Sequence, residues 1–216
     1  MNDKTRYAAH PKQVLADGTK AVSVTTALGI LAKPALIPWA NRLGLQGIDS
    51  SKYVDSKARI GTLAHALILA DLRGIEPDPR EFTAVEMDQA ENAVLKWFCW
   101  RKLHVIEPIL VETGMVSETF RYGGIIDCFG LVDGVPTLLD FKTGKAIYDE
   151  HAYQLSAYRQ MLIELGHEVQ VSRILQIGRE ESEAFSERSW TNLDREFEIF
   201  RHALAIYNLK KILKGN

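Results

Sequence analysis

The chain has 216 residues, 46% of them hydrophobic and 25% charged, with 15 glycines and 7 prolines; this is ordinary usage for a folded domain and excludes disordered, collagen-like and low-complexity classes. Its two cysteines, Cys99 and Cys128, are too few for a disulfide framework, a four-thiolate zinc site or an iron–sulfur cluster. The formal charge of -2 argues against nucleic-acid binding by bulk charge alone, although the distribution of charge matters more than its sum.

The N-terminus, MNDKTRYAAHPKQ, lacks the apolar core of a secretory signal, and no run approaches the roughly 18 apolar residues of a membrane span. A soluble cytoplasmic protein with no membrane partner is expected. Charge is uneven along the chain. Lys4, Arg6, Lys12, Lys20 and Lys33 face only Asp3 and Asp17, the stretch from Glu76 to Glu91 is acidic, and the C-terminal stretch carries Arg201, Lys210, Lys211 and Lys214. Either these are solvated faces, or both ends contribute to a positive groove.

Residues 1–22 read as an irregular or extended arm. Ser23 caps a short helix through Leu31, Lys33-Pro34 breaks it, and a further segment starts at Ile37-Pro38-Trp39 and ends at Gly44 and Gly47. Ser56–Arg73 is a helix whose run Leu63–Ala70 implies burial on several sides. Pro77 and Pro79 mark a loop. Ala84–Leu103 is an amphipathic helix with Met87, Ala90, Val94 and Trp97 at helical spacing, and the cluster Trp97, Phe98 and Trp100 reads as core in preference to a base-stacking platform. The period then changes. Ile109–Ser117, Gly123–Val132 and Pro136–Thr143 read as strands separated by the turn signals Arg121-Tyr-Gly-Gly and Asp133-Gly134. A helix from Glu150 to Leu165, a strand over Val169–Ile177, a shorter one over Ala184–Trp190 and a last helix to Leu213, with Thr191-x-x-Asp194 as its capping box, complete the chain. The class is mixed α/β: a small sheet covered by helices.

Three segments concentrate the chemistry. In Leu138-Leu-Asp-Phe-Lys-Thr-Gly, strand alternation puts Asp140 and Lys142 on one face and Leu139 and Phe141 on the other. Asp127 lies likewise in an apolar strand. Charges there are costly unless paired or bound to metal. If the two strands are adjacent, Asp127 and Asp140 converge, and a magnesium or manganese ion between them removes their repulsion. Gln154 and Tyr158 share a helix face one turn apart and can lie beside Lys142. His65, inside an apolar run, is either a metal ligand or a core histidine. The bland alternative is a structural Asp127–Lys142 ion pair with Gln154 and Tyr158 on the helix surface. No Gly-x-x-x-x-Gly-Lys-Ser/Thr loop is present, so ATP hydrolysis by that route is not expected.

Gly124-x-x-Asp127, Asp140-x-Lys142-Thr143 and Gln154-x-x-x-Tyr158, with Gly61-Thr-Leu-Ala-His65 upstream, resemble the motifs of the PD-(D/E)XK nuclease superfamily, above all its RecB-like and phage-type exonuclease branch. The resemblance covers roughly residues 56–177; Val24-Thr-Thr, Lys33-Pro-Ala-Leu and Trp39-Ala are similar, less specifically, to the N-terminal segment of phage-type members. It implies a restriction-endonuclease-like αβββαβ core with helices on both sides of a central mixed sheet and a helical N-terminal elaboration. It further implies one or two Mg2+ or Mn2+ ions on His65, Asp127, Asp140 and the carbonyl of Phe141. Lys142 then serves the attacking water or the phosphate, and Gln154 and Tyr158 place the scissile phosphate or the DNA end. Glu112 and Glu118 are candidates for outer-shell or second-metal roles, and Lys33, Trp39, Arg42, Thr143 and Lys145 for DNA contact. Residue 140 is Asp where the family often has Glu, and two cysteines rule out the iron–sulfur subtype.

The expected division is residues 1–55 as an N-terminal arm that can clamp DNA and 56–216 as the catalytic core. The expected activity is metal-dependent hydrolysis of DNA, foremost by an exonuclease of phage or bacterial recombination, repair or replication acting on single strands or duplex ends. A recombination or single-strand-binding protein is a further candidate partner. A structure-specific endonuclease on the same core and a non-catalytic nucleic-acid-binding module are the alternatives.

Overall fold

The computed structural model describes residues 13–76, 82–179, 183 and 185–215; the readings made above for residues 1–12, the Pro77/Pro79 loop and Ala184 lie outside them. In chain order the elements are β1 (Val22–Ser23), α1 (Val24–Leu28), α2 (Leu36–Leu45), α3 (Ser50–Arg73), α4 (Ala84–Arg101), β2 (Ile106–Ser117), β3 (Tyr122–Val132), β4 (Val135–Lys142), α5 (Asp149–Glu164), β5 (Val171–Gln176), β6 (Ser186–Trp190) and α6 (Asp194–Leu213). The class is mixed α/β, and the order from α3/α4 through β5 is the expected helix, three strands, helix, strand.

Local signals account for most boundaries. Ser23 accepts from the N–H of Thr26 and caps α1, which stops at Leu28 and not at Leu31 because the chain leaves the helix at Gly29. Asp49 caps α3 by accepting from the N–H groups of Ser51 and Lys52, so the helix starts at Ser50. The expected division at residue 55/56 therefore falls inside α3. Thr83 and Glu86 form a reciprocal capping box on α4. The box expected at Thr191-x-x-Asp194 does not form. The side chain of Asn192 accepts from the N–H of Asp194, and the helix begins there, with Asp194 and Glu196 in its first turn. Asp133 and Gly134 turn β3 into β4 with φ of 53° and 80°, the backbone that the Asp-Gly pair favours.

Helices lie on both faces of a six-stranded mixed sheet. Ile126, Leu138 and Ile174 pack with α1, α5 and α6, and Cys128, Leu139, Phe141 and Leu175 pack with α3 and α4. Trp97 and Trp100 are core, as expected, while Phe98 is exposed. The Trp97 indole N–H donates to Asp71 over 2.8 Å and ties α4 to α3. No helix of the described residues is long and apolar enough to cross a membrane.

The feature that positions the site is a fork along β3. One edge of β3 is taken along its length by antiparallel β2. The other edge is shared: parallel β1 pairs with Tyr122 and Gly123, and antiparallel β4 pairs from Cys128 to Val132. Residues 124–127 lie between these partners, with an open edge.

Candidate active site

Asp127 sits at the open end of the fork, where the last paired residues of β3 and β4 are Cys128 and Leu139. Its carboxylate does the work of a missing strand partner: Oδ2 accepts from the N–H of Phe141 over 2.8 Å. The other oxygen, Oδ1, is 3.7 Å from Nδ1 of His65 on α3. Strict alternation fails at this point, because Ile126 and Cys128, on either side of Asp127, join opposite core clusters. Opposite Asp127 on β2 is Glu112, whose φ of 48° is left-handed, a strained geometry for a residue with a side chain. Glu112 is held by Arg73 of α3 at 2.9 Å.

Asp140 and Lys142 share the α5 face of β4, as period-two spacing requires. Asp140 is 2% exposed, and its Oδ2 lies 2.7 Å from Nζ of Lys142 without a well-aligned hydrogen bond. Lys142 in turn donates to Oε1 of Gln154 over 3.0 Å, and Nε2 of Gln154 donates to the hydroxyl of Tyr158 over 2.8 Å. One polar chain thus runs Asp140–Lys142–Gln154–Tyr158 from β4 to α5. The Gly-Gly of the motif has a steric reason. A Cβ on Gly124 would stand 2.5 Å from Cε1 of Tyr158, so only glycine lets the ring close over the open edge of β3. Gly124→Ala is expected to displace that ring, break the Gln154–Tyr158 bond and cost about 1–3 kcal/mol of stability. Tyr158→Phe keeps the ring and is expected to melt closer to the parent in a thermal denaturation series; equal losses in both variants would contradict this role for the glycine.

The electrostatics are those of buried, mutually facing groups. Burial pushes Asp140 up to about 6, with the ammonium of Lys142 pulling the other way and the carboxylate of Asp127 adding to the rise. Asp127 is also penalised by burial, but His65, Lys142 and the Phe141 N–H outweigh that and hold it below the ordinary carboxylate range. Burial disfavours the imidazolium of His65, and the Asp127 carboxylate more than compensates, raising it above 6.5.

Asp127 and His65, with Tyr158, open onto a cleft of about 1310 Å³, whereas Asp140, Lys142 and Gln154 are not among the residues lining it. Its walls carry His65, Asp127, Glu112, Thr143, Lys145 and Trp39 from the expected set, joined by Tyr53, Lys57, Arg73, Tyr148 and Arg179. The last five went unrecognised because single aromatic or basic residues on helices and loops carry no motif. Trp39 and Tyr53 meet edge to face with centroids 6.0 Å apart. The loop after β4 is pinned on two sides. Gln176 donates to the carbonyl of Gly144 and accepts from the Ser186 hydroxyl at 2.8 Å. On the other side Gly61 lets α3 approach so closely that a Cβ there would meet Oγ1 of Thr143 at 2.6 Å.

Other expected residues have different surroundings. Lys33 is bound 2.7 Å from Glu150. Arg42 is exposed on α2 and is not among the residues lining the cleft. Glu118, a candidate for an outer-shell or second-metal role, accepts from the N–H of Ala16 at 2.8 Å and fastens the N-terminal segment to the β2–β3 turn. Phe141, whose carbonyl is the expected metal ligand, also donates its N–H to Asp127.

No three His, Cys, Asp or Glu side chains among the described residues form a ready ligand group. His65 faces Asp127, and Asp140 faces Lys142. The donor chemistry nonetheless suits a hard divalent cation: magnesium is commonly held by one or two carboxylates, with water and substrate phosphate completing the shell. Asp127 and Asp140 supply two such carboxylates, and the latter has a buried oxygen lacking an aligned hydrogen bond.

No family model matches the chain, and no curated protein matches it. Among solved structures, that of SSO0001 matches with 11% identity over 66% of this chain and 74% of the other, at a TM-score of 0.31. A likeness at that level carries no argument about this chain.

Proposed function

We propose that this chain is a divalent-metal-dependent deoxyribonuclease that hydrolyses phosphodiester bonds, acting from DNA ends. The observation that carries the reading is the polar chain Asp140–Lys142–Gln154–Tyr158 beside Asp127 at the fork of β3, which meets a cleft at Asp127 and Tyr158 where basic, aromatic and acidic side chains line the walls. When bound at Asp127 and Asp140, a magnesium or manganese ion supplies a water acidic enough to lose its proton near neutral pH and a positive charge for the phosphate.

The protein's own groups do the rest. Gln154, fixed by Tyr158, holds the Lys142 ammonium in place, so that its charge meets the phosphate as negative charge builds there. His65 and the Phe141 N–H fix the orientation of Asp127. Lys57 and Lys145 give the walls positive charge for a phosphate backbone, Arg73 and Arg179 being set against Glu112 and Glu183, and Trp39, Tyr53 and Tyr148 offer faces for bases. Trp39→Ala is expected to weaken binding of a single-stranded oligonucleotide by about tenfold or more, read by fluorescence anisotropy; unchanged affinity would remove Trp39 from the DNA path.

The test of function is digestion of end-labelled linear DNA and of closed single-stranded circles, with magnesium, manganese or chelator. Loss of linear DNA only, and only with metal, supports the reading. Circles cut as fast as linear strands favour an endonuclease on the same core. Binding without cleavage of any substrate leaves a non-catalytic module.

A further inference from the structure

The C-terminal helix α6 has two apolar faces, and the fold uses one. Phe200, Ala203 and Leu204 enter the core with α1 and α5. On the opposite side Ile199, Ile206, Leu209 and Leu213 are 40%, 50%, 61% and 86% exposed. Their spacing is that of the a and d positions of a heptad, with exposed Arg195 and His202 at the first two d positions. Exposed Ile212 flanks the seam. Single exposed aliphatic residues need no explanation, but a continuous stripe along a helix does.

The charges beside the seam identify what covers it. Glu196 flanks its N-terminal end, whereas Lys210, Lys211 and Lys214 crowd its C-terminal end. Glu198 is already engaged by Arg201 at 2.6 Å. The Glu196 flank at one end and the Lys210 flank at the other complement each other when the helix is reversed. Parallel pairing would set lysines against lysines. Antiparallel pairing about a two-fold axis near Leu204 sets Ile199 against Leu209, His202 against Ile206, and Glu196 beside Lys210, twice over by symmetry. It also opposes the two helix dipoles favourably.

We propose that the exposed seam of α6 is a self-association surface on which two copies of this chain pair through antiparallel α6 helices. Sedimentation equilibrium of the full chain across micromolar concentrations is expected to show a reversible dimer. Ile206→Asp with Leu209→Asp, both at exposed positions, is expected to weaken it by about 100-fold or more, with thermal melting showing the fold intact. Lys210→Glu alone breaks two symmetric pairs and is expected to weaken the dimer by roughly fivefold to tenfold; adding Glu196→Lys is expected to restore it. A wild-type chain that stays monomeric throughout assigns the face to some other partner and overturns the proposal. Insensitivity to Lys210→Glu, or failure of the charge swap to restore association, overturns the antiparallel pairing. The readout is mass alone and does not depend on catalysis.

Discussion

Lys142→Met is expected to slow phosphodiester cleavage by a factor of about 10³, with the affinity for DNA held within a few-fold. The methionine keeps much of the apolar stem and removes only the ammonium, which touches Asp140 at 2.7 Å and Gln154 at 3.0 Å. On the proposed reading, DNA affinity draws on the charges lining the cleft, of which Lys142 is not one, so its loss is expected to change binding little. Loss of rate with retained binding is therefore the mark of a group that acts on the transition state. Without Lys142 the burial penalty on Asp140 stands unopposed by its nearest cation, so that carboxyl takes up a proton more readily. Gln154→Ala is the graded companion: Lys142 keeps its contact with Asp140 but loses its tether, and a fall of roughly tenfold is expected. Single-turnover cleavage with an anisotropy titration measures both effects. A Lys142→Met protein that cuts within threefold of the parent would remove the lysine from the mechanism.

The pattern of what sequence reveals here follows from how local each feature is. Asp140 and Lys142 fall on one face because alternation along a strand is local, and Gln154 and Tyr158 fall on one face because a helix turn is local. The pairing of Lys142 with Gln154 is the step that folding adds. Asp127 escapes the same reasoning. Its setting depends on β1 and β4 sharing one edge of β3, and no local pattern records which distant strands divide an edge. Charge is the least legible property. Lys33 and Glu118 suggested a DNA contact and a metal shell, but each is taken up by a partner at least 100 positions away in sequence. The glycines lie between these cases: Gly124 is visible as part of a motif, but its reason, the Tyr158 ring above it, is tertiary.

Asp140→Asn should separate stability from function in the opposite sense to most active-site changes. Burial pushes Asp140 from 3.8 up to about 6, so the folded protein holds that proton more tightly than the unfolded chain. A carboxyl raised in this way withdraws stability as pH rises from about 4 to about 6 and leaves a constant deficit above that window, worth about 3 kcal/mol. His65, raised above 6.5 by Asp127, contributes stability at low pH that is lost as pH passes its folded value. Both groups therefore make the folded state weaker at neutral pH than at pH 5. Asparagine has nearly the shape of aspartate and no charge to desolvate. In chelator at pH 7.5 the variant is expected to melt roughly 5–10 °C above the parent, and its advantage should shrink toward pH 4. Magnesium or manganese far above its dissociation constant should reverse the order: at about 1,000 times that constant the parent gains roughly 4.1 kcal/mol, more than its deficit, while the variant, lacking one of the two carboxylates, gains little. Melting curves at pH 4, 5.5 and 7.5, with and without metal, read all of this. A parent melting temperature indifferent to metal would exclude Asp140 and Asp127 as a cation site, whereas a variant less stable than the parent in chelator at neutral pH would mean that the Lys142 ion pair outweighs the cost of burying the charge.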